Sequence, residues 1–428
     1  MQSRSPETPL KVCILGLTLS GNRGAESMLL GIMDKMTERF GACKFDLVSV
    51  YPLEDRREAL ADKVSIISGK PIMMLAVVLP VSIAVGFLAK FKAVRKLLST
   101  IPVFKSLLEA DIVLDSGGVA FIDGRGLPLL LYNVALCYPP VLLGKKTVKL
   151  AQAMGPFKTP LNRLAASHVL PRLNYVIARG QITAGYLEEL GLTNYDCCAD
   201  TAFLMPISSS DRQQAQQIMQ SFSARKKKIV GISPSVVVDD YCSKEGVSYA
   251  SEMASFVEFL LSRGYKVMLL PHSVRPGKAR MNNDLIICNE IEALLNNRES
   301  VFVIREDLSA GILREIIGST DYYIASRFHS MVSALATCVP TVLVGWSHKY
   351  REVMAMFNME EFAVSYKDFS AEKLKNRFEV LVASEENVRT TLKRRLPEVK
   401  ALSAKNFEIV ARVLGLDNPA PAERAALG

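Results

Sequence analysis

The sequence predicts an α/β protein of two doubly wound domains that face one another across a cleft. Short β-rich apolar runs alternate with helical patterns from residue 11 to about residue 365, as parallel-sheet βα units require. The alternation breaks once, at a polar, helix-patterned stretch over 207–227, which divides the units into two series of similar length. A chain of 428 residues with 49% hydrophobic content is long enough to bury two cores.

Composition narrows the partners. A net charge of +9 suits an anionic substrate or an anionic membrane face, and is also common on proteins that bind neither. No zinc-finger spacing, aromatic RNA-binding motif or extended basic tract points to nucleic acid. The eight cysteines form no CxxC pair and several sit in apolar runs, so they read as buried thiols of a reducing compartment. Four histidines without an HExxH or similar cluster leave no metal site to expect, and no cofactor is expected. Residues 1–10 are polar and no apolar core follows them, unlike a secretory signal, so the cytoplasm is the expected location.

The first series opens with Lys11-Val-Cys-Ile-Leu-Gly16, a strand, and the turn Gly21-Asn-Arg-Gly-Ala-Glu26 into a helix carrying Met28, Leu29, Ile32, Met33 and Met36 on one face. Glycines 16, 21 and 24 fit neither the GxGxxG nor the P-loop spacing. The turn therefore reads equally as a tight corner or an anion cradle. Further strands follow at 45–51 and 64–68. Ile112–Asp115 then ends in Ser116-Gly117-Gly118, residues small enough for a ligand to approach the backbone. Lys149-Leu-Ala-Gln152 and Tyr175-Val-Ile-Ala-Arg179 repeat the pattern of a strand with a polar tip. The second series runs through strands at 229–233, 266–270, ending at Pro271-His272, and 301–304. It culminates in Asp321-Tyr-Tyr-Ile-Ala-Ser-Arg327-Phe-His329, a buried strand, a corner and a helix start, followed by a strand at Thr341–Val344. Such a corner lies at the carboxyl edge of a parallel sheet, where open α/β folds bind ligands, and a helix N-terminus favours anions. The plain alternative is an Arg and a His on an ordinary loop.

The expected domains are an N-terminal Rossmann-like domain over 1–206, with an apolar, membrane-facing insertion at 71–96, and a linker helix over 207–228. A C-terminal Rossmann-like domain over 229–370, helices over 371–415 and a loose tail over 416–428 complete the chain. The basic run Arg225-Lys-Lys-Lys228 reads as a solvated face.

Together these residues resemble the polysaccharide pyruvyl transferase family. The resemblance is carried by Gly21-Asn-Arg-Gly-Ala-Glu26, Ser116-Gly-Gly118, Gln152-Ala-Met-Gly-Pro156 and Ala178-Arg179. Asp200-Thr-Ala-Phe203, Ser326-Arg-Phe-His-Ser330 and Val339-Pro-Thr-Val342 complete it. It implies a GT-B-like architecture and transfer of a pyruvyl group from phosphoenolpyruvate to a sugar of a surface polysaccharide or its lipid-linked precursor, as a ketal. Phosphoenolpyruvate would be held by guanidinium forks, which match carboxylate and phosphate, with Arg179 and Arg327 clamping it from the two sides of the cleft. His329 is then the candidate acid for the vinyl methylene, and Asp115 the candidate base for the attacking hydroxyl, with a turn-capping role as its alternative. Asn22, Ser116, Gly117, Gly118, Gln152 and His272 complete the expected binding residues. Rival readings are a GT-B glycosyltransferase using a nucleotide sugar and a non-catalytic membrane scaffold of polysaccharide assembly.

Pro71 to Ala89 is uncharged, interrupted by Pro80 and Gly86, and followed by Lys90, Lys92, Arg95 and Lys96. Its length approaches that of a bilayer span. Strands on either side must share one sheet, so a broken helix or hairpin lying on the inner leaflet of the membrane is expected, with the protein peripheral there. A buried core helix is the alternative.

Overall fold

The computed structural model describes residues 8–58, 60–222, 227–275 and 283–416. Arg225 and Lys226 of the basic run, and the expected tail beyond Leu416, lie outside the described residues.

Strands covered on both faces need apolar side chains at successive positions rather than in alternation, and the apolar runs become two wholly parallel sheets. The first contains β1 (Leu10–Leu15), β2 (Cys43–Ser49), β3 (Ser65–Ser68), β4 (Ile112–Asp115), β5 (Thr147–Gln152), β6 (Tyr175–Arg179) and β7 (Tyr195–Cys198), in the order β3-β2-β1-β4-β5-β6-β7. Val12 of β1 is paired with Phe45 on one side and Ile112 on the other. The second contains β8 (Ile229–Ser233), β9 (Lys266–Leu269), β10 (Val301–Val303), β11 (Tyr322–Ala325), β12 (Thr341–Gly345) and β13 (Ala363–Ser365), in the order β10-β9-β8-β11-β12-β13. Both orders reverse direction once, between β1 and β4 and between β8 and β11. At such a reversal the flanking loops diverge and leave a crevice outside the strand ends. β7 and β13 escape the sequence reading because neither carries an apolar run long enough to stand out. β7 is half-exposed Tyr-Asp-Cys-Cys, and β13 is only three residues long.

Contacts divide the chain into two compact units, and the division departs from a serial one. The first unit takes residues 1–20, 28–204 and 402–428, and the second takes 21–27 and 205–401. The helix Ser209–Phe222 is packed into the second unit rather than left as a linker. Asp211 accepts a hydrogen bond from Ser309 Oγ (2.8 Å) and occupies the space that a side chain on Gly311 would fill. In the first unit, Ser403 Oγ donates to the Asp200 carbonyl (2.7 Å), and Asn406 bridges the Ala199 carbonyl and the Ala151 N–H.

The apolar segment is one helical run, Pro71–Lys90, and not a hairpin turning at Pro80. Proline lacks the N–H that a helix interior needs and crowds the carbonyl four residues back. The run absorbs this with a π turn over Met74–Val78, in which the Leu79 N–H bonds to the Met74 carbonyl five residues back. The chain turns instead at Phe91, which is extended, before the helix Lys92–Leu98. Only 28% of the most apolar stretch of the run is buried, so it is not a core helix.

Candidate active site

At the first sheet's reversal, Asp115 ends β4 with its side chain enclosed. It is 2% exposed, forms a buried ion pair with Lys149, and accepts from Gln152 Nε2 (3.1 Å). Gln152 Nε2 also donates to the Asp115 carbonyl (2.7 Å), and Ser116 is buried with its N–H on the Leu15 carbonyl (3.0 Å). The left-handed Gly16 lies so close to Gly117 that a Cβ would sit 2.8 Å from the Gly117 nitrogen. At the tip of β6, Arg179 is 1% exposed; its Nη1 donates to the fully buried Asp200 (2.5 Å) and its Nη2 to the Gly118 carbonyl (2.7 Å).

These distances revise two expectations. Asp115 is engaged by Lys149 and Gln152 and is not an open base, because a carboxylate already accepting from an ammonium and an amide holds them in the folded state. Arg179 is not a free fork. Its guanidinium is spent tying the end of β6 to the Ser-Gly-Gly turn.

The second sheet's reversal is built differently. Arg327 is the N-cap residue of the helix Phe328–Ala336, placing Phe328, His329 and Ser330 at its first three positions, where N–H groups lack acceptors within the helix. The Arg327 fork is oriented by Asp284, Nε donating to Oδ2 (2.8 Å) and Nη2 to Oδ1 (2.6 Å). Asp284 is fully buried, whereas the Arg327 side chain remains 21% exposed. His329 is half-buried, edge-on to the Phe328 ring at 4.9 Å.

The turn Gly21-Asn-Arg-Gly-Ala-Glu26 belongs to this unit, and each residue but Ala25 has a visible task there. Gly24 lies flat against His329; a Cβ would stand 2.1 Å from Nδ1. Gly21, at φ +60°, gives the same clearance to Arg275, 2.4 Å from a Cβ to Nε, and its carbonyl accepts from Ser273 Oγ (2.7 Å). Asn22 is exposed and caps the helix Arg23–Phe40, its Oδ1 accepting from the Ala25 N–H (3.3 Å). Arg23, 2% exposed, pairs with Glu26 (2.7 Å) and Asp307 (2.7 Å), and its N–H reaches the His272 carbonyl (3.4 Å). Glu26 in turn accepts from the Ala310 N–H (3.1 Å) at the start of the helix Ala310–Gly318, where a helix N-terminus favours an anion. His272 is 5% exposed. Burial, then the nearby His329, Arg327, Arg23 and Arg314, pushes its imidazole well below the ordinary value of 6.5.

The structure thus gathers Asn22, His272, Arg327 and His329 in the second unit and Asp115, Ser116, Gly117, Gly118, Gln152 and Arg179 in the first. Sequence reasoning missed the supporting groups Asp284, Asp307, Arg275 and Lys149. Asp284 carried a signal: it follows Asn283, whose side chain caps the helix Asp284–Ala293. Arranged this way, the second edge brings together an oriented guanidinium, a helix N-terminus and an imidazole.

Known proteins resemble this chain in sequence and in fold. At 24% identity over 375 residues the chain resembles the amylovoran biosynthesis protein AmsJ of Erwinia amylovora, covering 83% of this chain and 88% of that protein. Among solved structures it is similar to the UDP-GlcNAc 2-epimerase of Neisseria meningitidis bound to UDP-GlcNAc. The TM-score there is 0.61 at 12% identity, over 94% of this chain and 100% of the epimerase. It is also similar to the UDP-GlcNAc 2-epimerase of Methanocaldococcus jannaschii, with a TM-score of 0.54 at 12% identity over 87% and 92%. These likenesses place the fold in the GT-B-like class. The model of polysaccharide pyruvyl transferases matches residues 22–348, which include β4, both strands of the second sheet's reversal and the Gly21–Glu26 turn beyond its first residue. The chain belongs to the polysaccharide pyruvyl transferase family.

Proposed function

We propose that this protein transfers the pyruvyl group of phosphoenolpyruvate to a sugar of a surface polysaccharide or its lipid-linked precursor, forming a cyclic ketal. A role in polysaccharide biosynthesis follows from the family. The observation that carries the donor assignment is the Asp284-oriented fork of Arg327 beside His329 at a helix N-terminus. A guanidinium held in plane meets carboxylate or phosphate without first paying its own ordering entropy.

In this reading Arg327 and the N–H groups of the helix Phe328–Ala336 hold the anion. His329 gives a proton to the vinyl methylene, C3, as one sugar hydroxyl oxygen bonds to C2. The second hydroxyl of the same sugar then bonds to C2 and phosphate leaves, so that one donor and one diol yield one ketal and one phosphate. The hydroxyl protons return the imidazole to its starting state and complete the phosphate. Gly24 keeps the imidazole in place by leaving no room behind it.

The test is thermal-shift and calorimetric titration with phosphoenolpyruvate against a panel of nucleotide sugars. Phosphoenolpyruvate should bind, and Arg327→Ala should weaken it by about 2–3 kcal/mol, the usual loss of a charge-assisted hydrogen-bond pair. Because that variant strands the buried Asp284, the double variant Arg327→Met/Asp284→Asn separates lost binding from lost folding. Tight binding of a nucleotide sugar and none of phosphoenolpyruvate would sink the reading.

A further inference from the structure

A second feature of the molecule is unrelated to the donor site. β3 precedes the helix Pro71–Lys90 and β4 follows it, and both strands lie in the first sheet. The helix therefore leaves and re-enters the same unit and does not span a bilayer. One stripe of it, Met74, Val78, Ser82 and Gly86, is buried at four-residue spacing. Gly86 sits so near the helix Leu127–Leu142 that a Cβ would be 3.1 Å from the Leu142 carbonyl oxygen.

The opposite stripe is also apolar but faces outward. Ile72 is 80% exposed and Phe87 66%, and after the turn at Phe91 so is Leu97, at 70%. The helices Leu127–Leu142 and Pro160–Val169 extend this face with exposed Leu127, Leu131, Leu161 and Leu164. Between the three helices runs a groove of about 430 Å³ lined by Leu79, Ile83, Leu131, Tyr138, Leu164 and His168. That volume lies within the range of sites that enclose one small ligand. Soluble surfaces seldom leave so many large apolar groups together unless something covers them.

Charge identifies what covers them. Neither Asp nor Glu occurs from Lys63 to Leu108, or from Gly124 to Leu187, the two stretches that supply the whole face. The chain has 43 acidic residues, so their exclusion here marks a surface that meets negative charge. Lys90, Lys92 and Lys96 are exposed beside the apolar stripe, while Arg95 is turned to the Leu108 carbonyl (2.6 Å). An apolar face edged by lysines is the physical description of a helix seated in the headgroup boundary of an anionic leaflet. We propose that this face docks the protein on an anionic membrane surface, with one lipid acyl chain lodged in the groove between the three helices.

Co-sedimentation with phosphatidylcholine vesicles, with and without phosphatidylglycerol, tests the docking. The full chain should sediment with the anionic vesicles and far less with neutral ones. Lys90→Glu/Lys92→Glu/Lys96→Glu should lower the partition coefficient about 100-fold or more, given the usual contribution of each basic residue near such a surface. The groove is tested separately by Leu164→Trp in a background where the single native Trp346 is replaced by Phe. Its fluorescence should be quenched by vesicles whose acyl chains carry bromine. Thermal melts confirm that each variant is folded. Wild-type protein that ignores anionic vesicles overturns the proposal, as does charge reversal without effect. Sedimentation without bromine quenching overturns the lodged chain. Concentration-dependent self-association abolished by Leu164→Asp, with no vesicle binding, would assign the face to a second copy of the chain instead.

Discussion

The reversals of the two sheets use the same kinds of residue and reach opposite ends. At β1/β4 the charges are closed upon one another: Asp115 with Lys149, and Arg179 with Asp200, each side chain no more than 3% exposed. At β8/β11 the carboxylate is equally buried, but the arginine it holds is not. Asp284 is fully enclosed, while Arg327 keeps a fifth of its side chain in the open, next to a half-buried His329. An ion pair sealed from water fixes loops and offers a ligand nothing. One with its cation reaching the surface orients that cation for an incoming anion. The difference separates scaffold from candidate chemistry more sharply than residue type does.

Substitutions can break that contrast. The largest effect should come from the sealed edge: Arg179→Ala leaves the buried Asp200 without its cation, which typically costs about 3–5 kcal/mol. Urea unfolding should show that loss with the donor affinity of the surviving folded fraction unchanged; a stable Arg179→Ala protein with weakened phosphoenolpyruvate binding would return Arg179 to the donor site. Next, His329→Ala should leave the melting temperature and donor binding near wild type and reduce turnover about 100-fold or more, as loss of a positioned acid does. Normal turnover would remove His329 from the acid role.

Gly24→Ala sharpens the same point without touching a polar group. The new methyl would overlap His329 Nδ1, so the ring must shift. A displacement near 1 Å can cost about 100-fold in rate, seen in kcat with KM for the donor little changed. Unaltered kcat would show that His329 tolerates displacement and does not act at the reacting carbon.

The smallest effect concerns His272, whose burial holds it neutral and well below 6.5. Below that pH the unfolded chain binds a proton that the folded chain refuses, so stability falls as pH drops. The slope is about 1.4 kcal/mol per pH unit. His272→Gln should flatten that part of the denaturation profile below about pH 6.5, and an unchanged profile would mean that His272 is already free to protonate when folded.

Much of the fold was legible because its cause is local. Strands enclosed on both faces need unbroken apolar runs, so β1, β4, β8, β11 and β12 stand out in the sequence. The corner after β11 follows from a strand that gives way to helical spacing at Phe328. The exposed apolar helix was legible for the same reason, although its π turn before Pro80 was not. What only the tertiary structure decided was pairing. Nothing local tells Arg327 that its carboxylate is 43 residues away at Asp284, or that Arg179 finds Asp200 and not a ligand. Nor does the sequence say that Gly21–Ser27, which follows the first strand of one unit, packs with the other unit's His272, Arg275 and His329. Apolar burial imprints a period on the chain, because every residue of an element must face the same core. A salt bridge needs two atoms to meet once, and that meeting is set by how loops from different strands converge at a sheet edge.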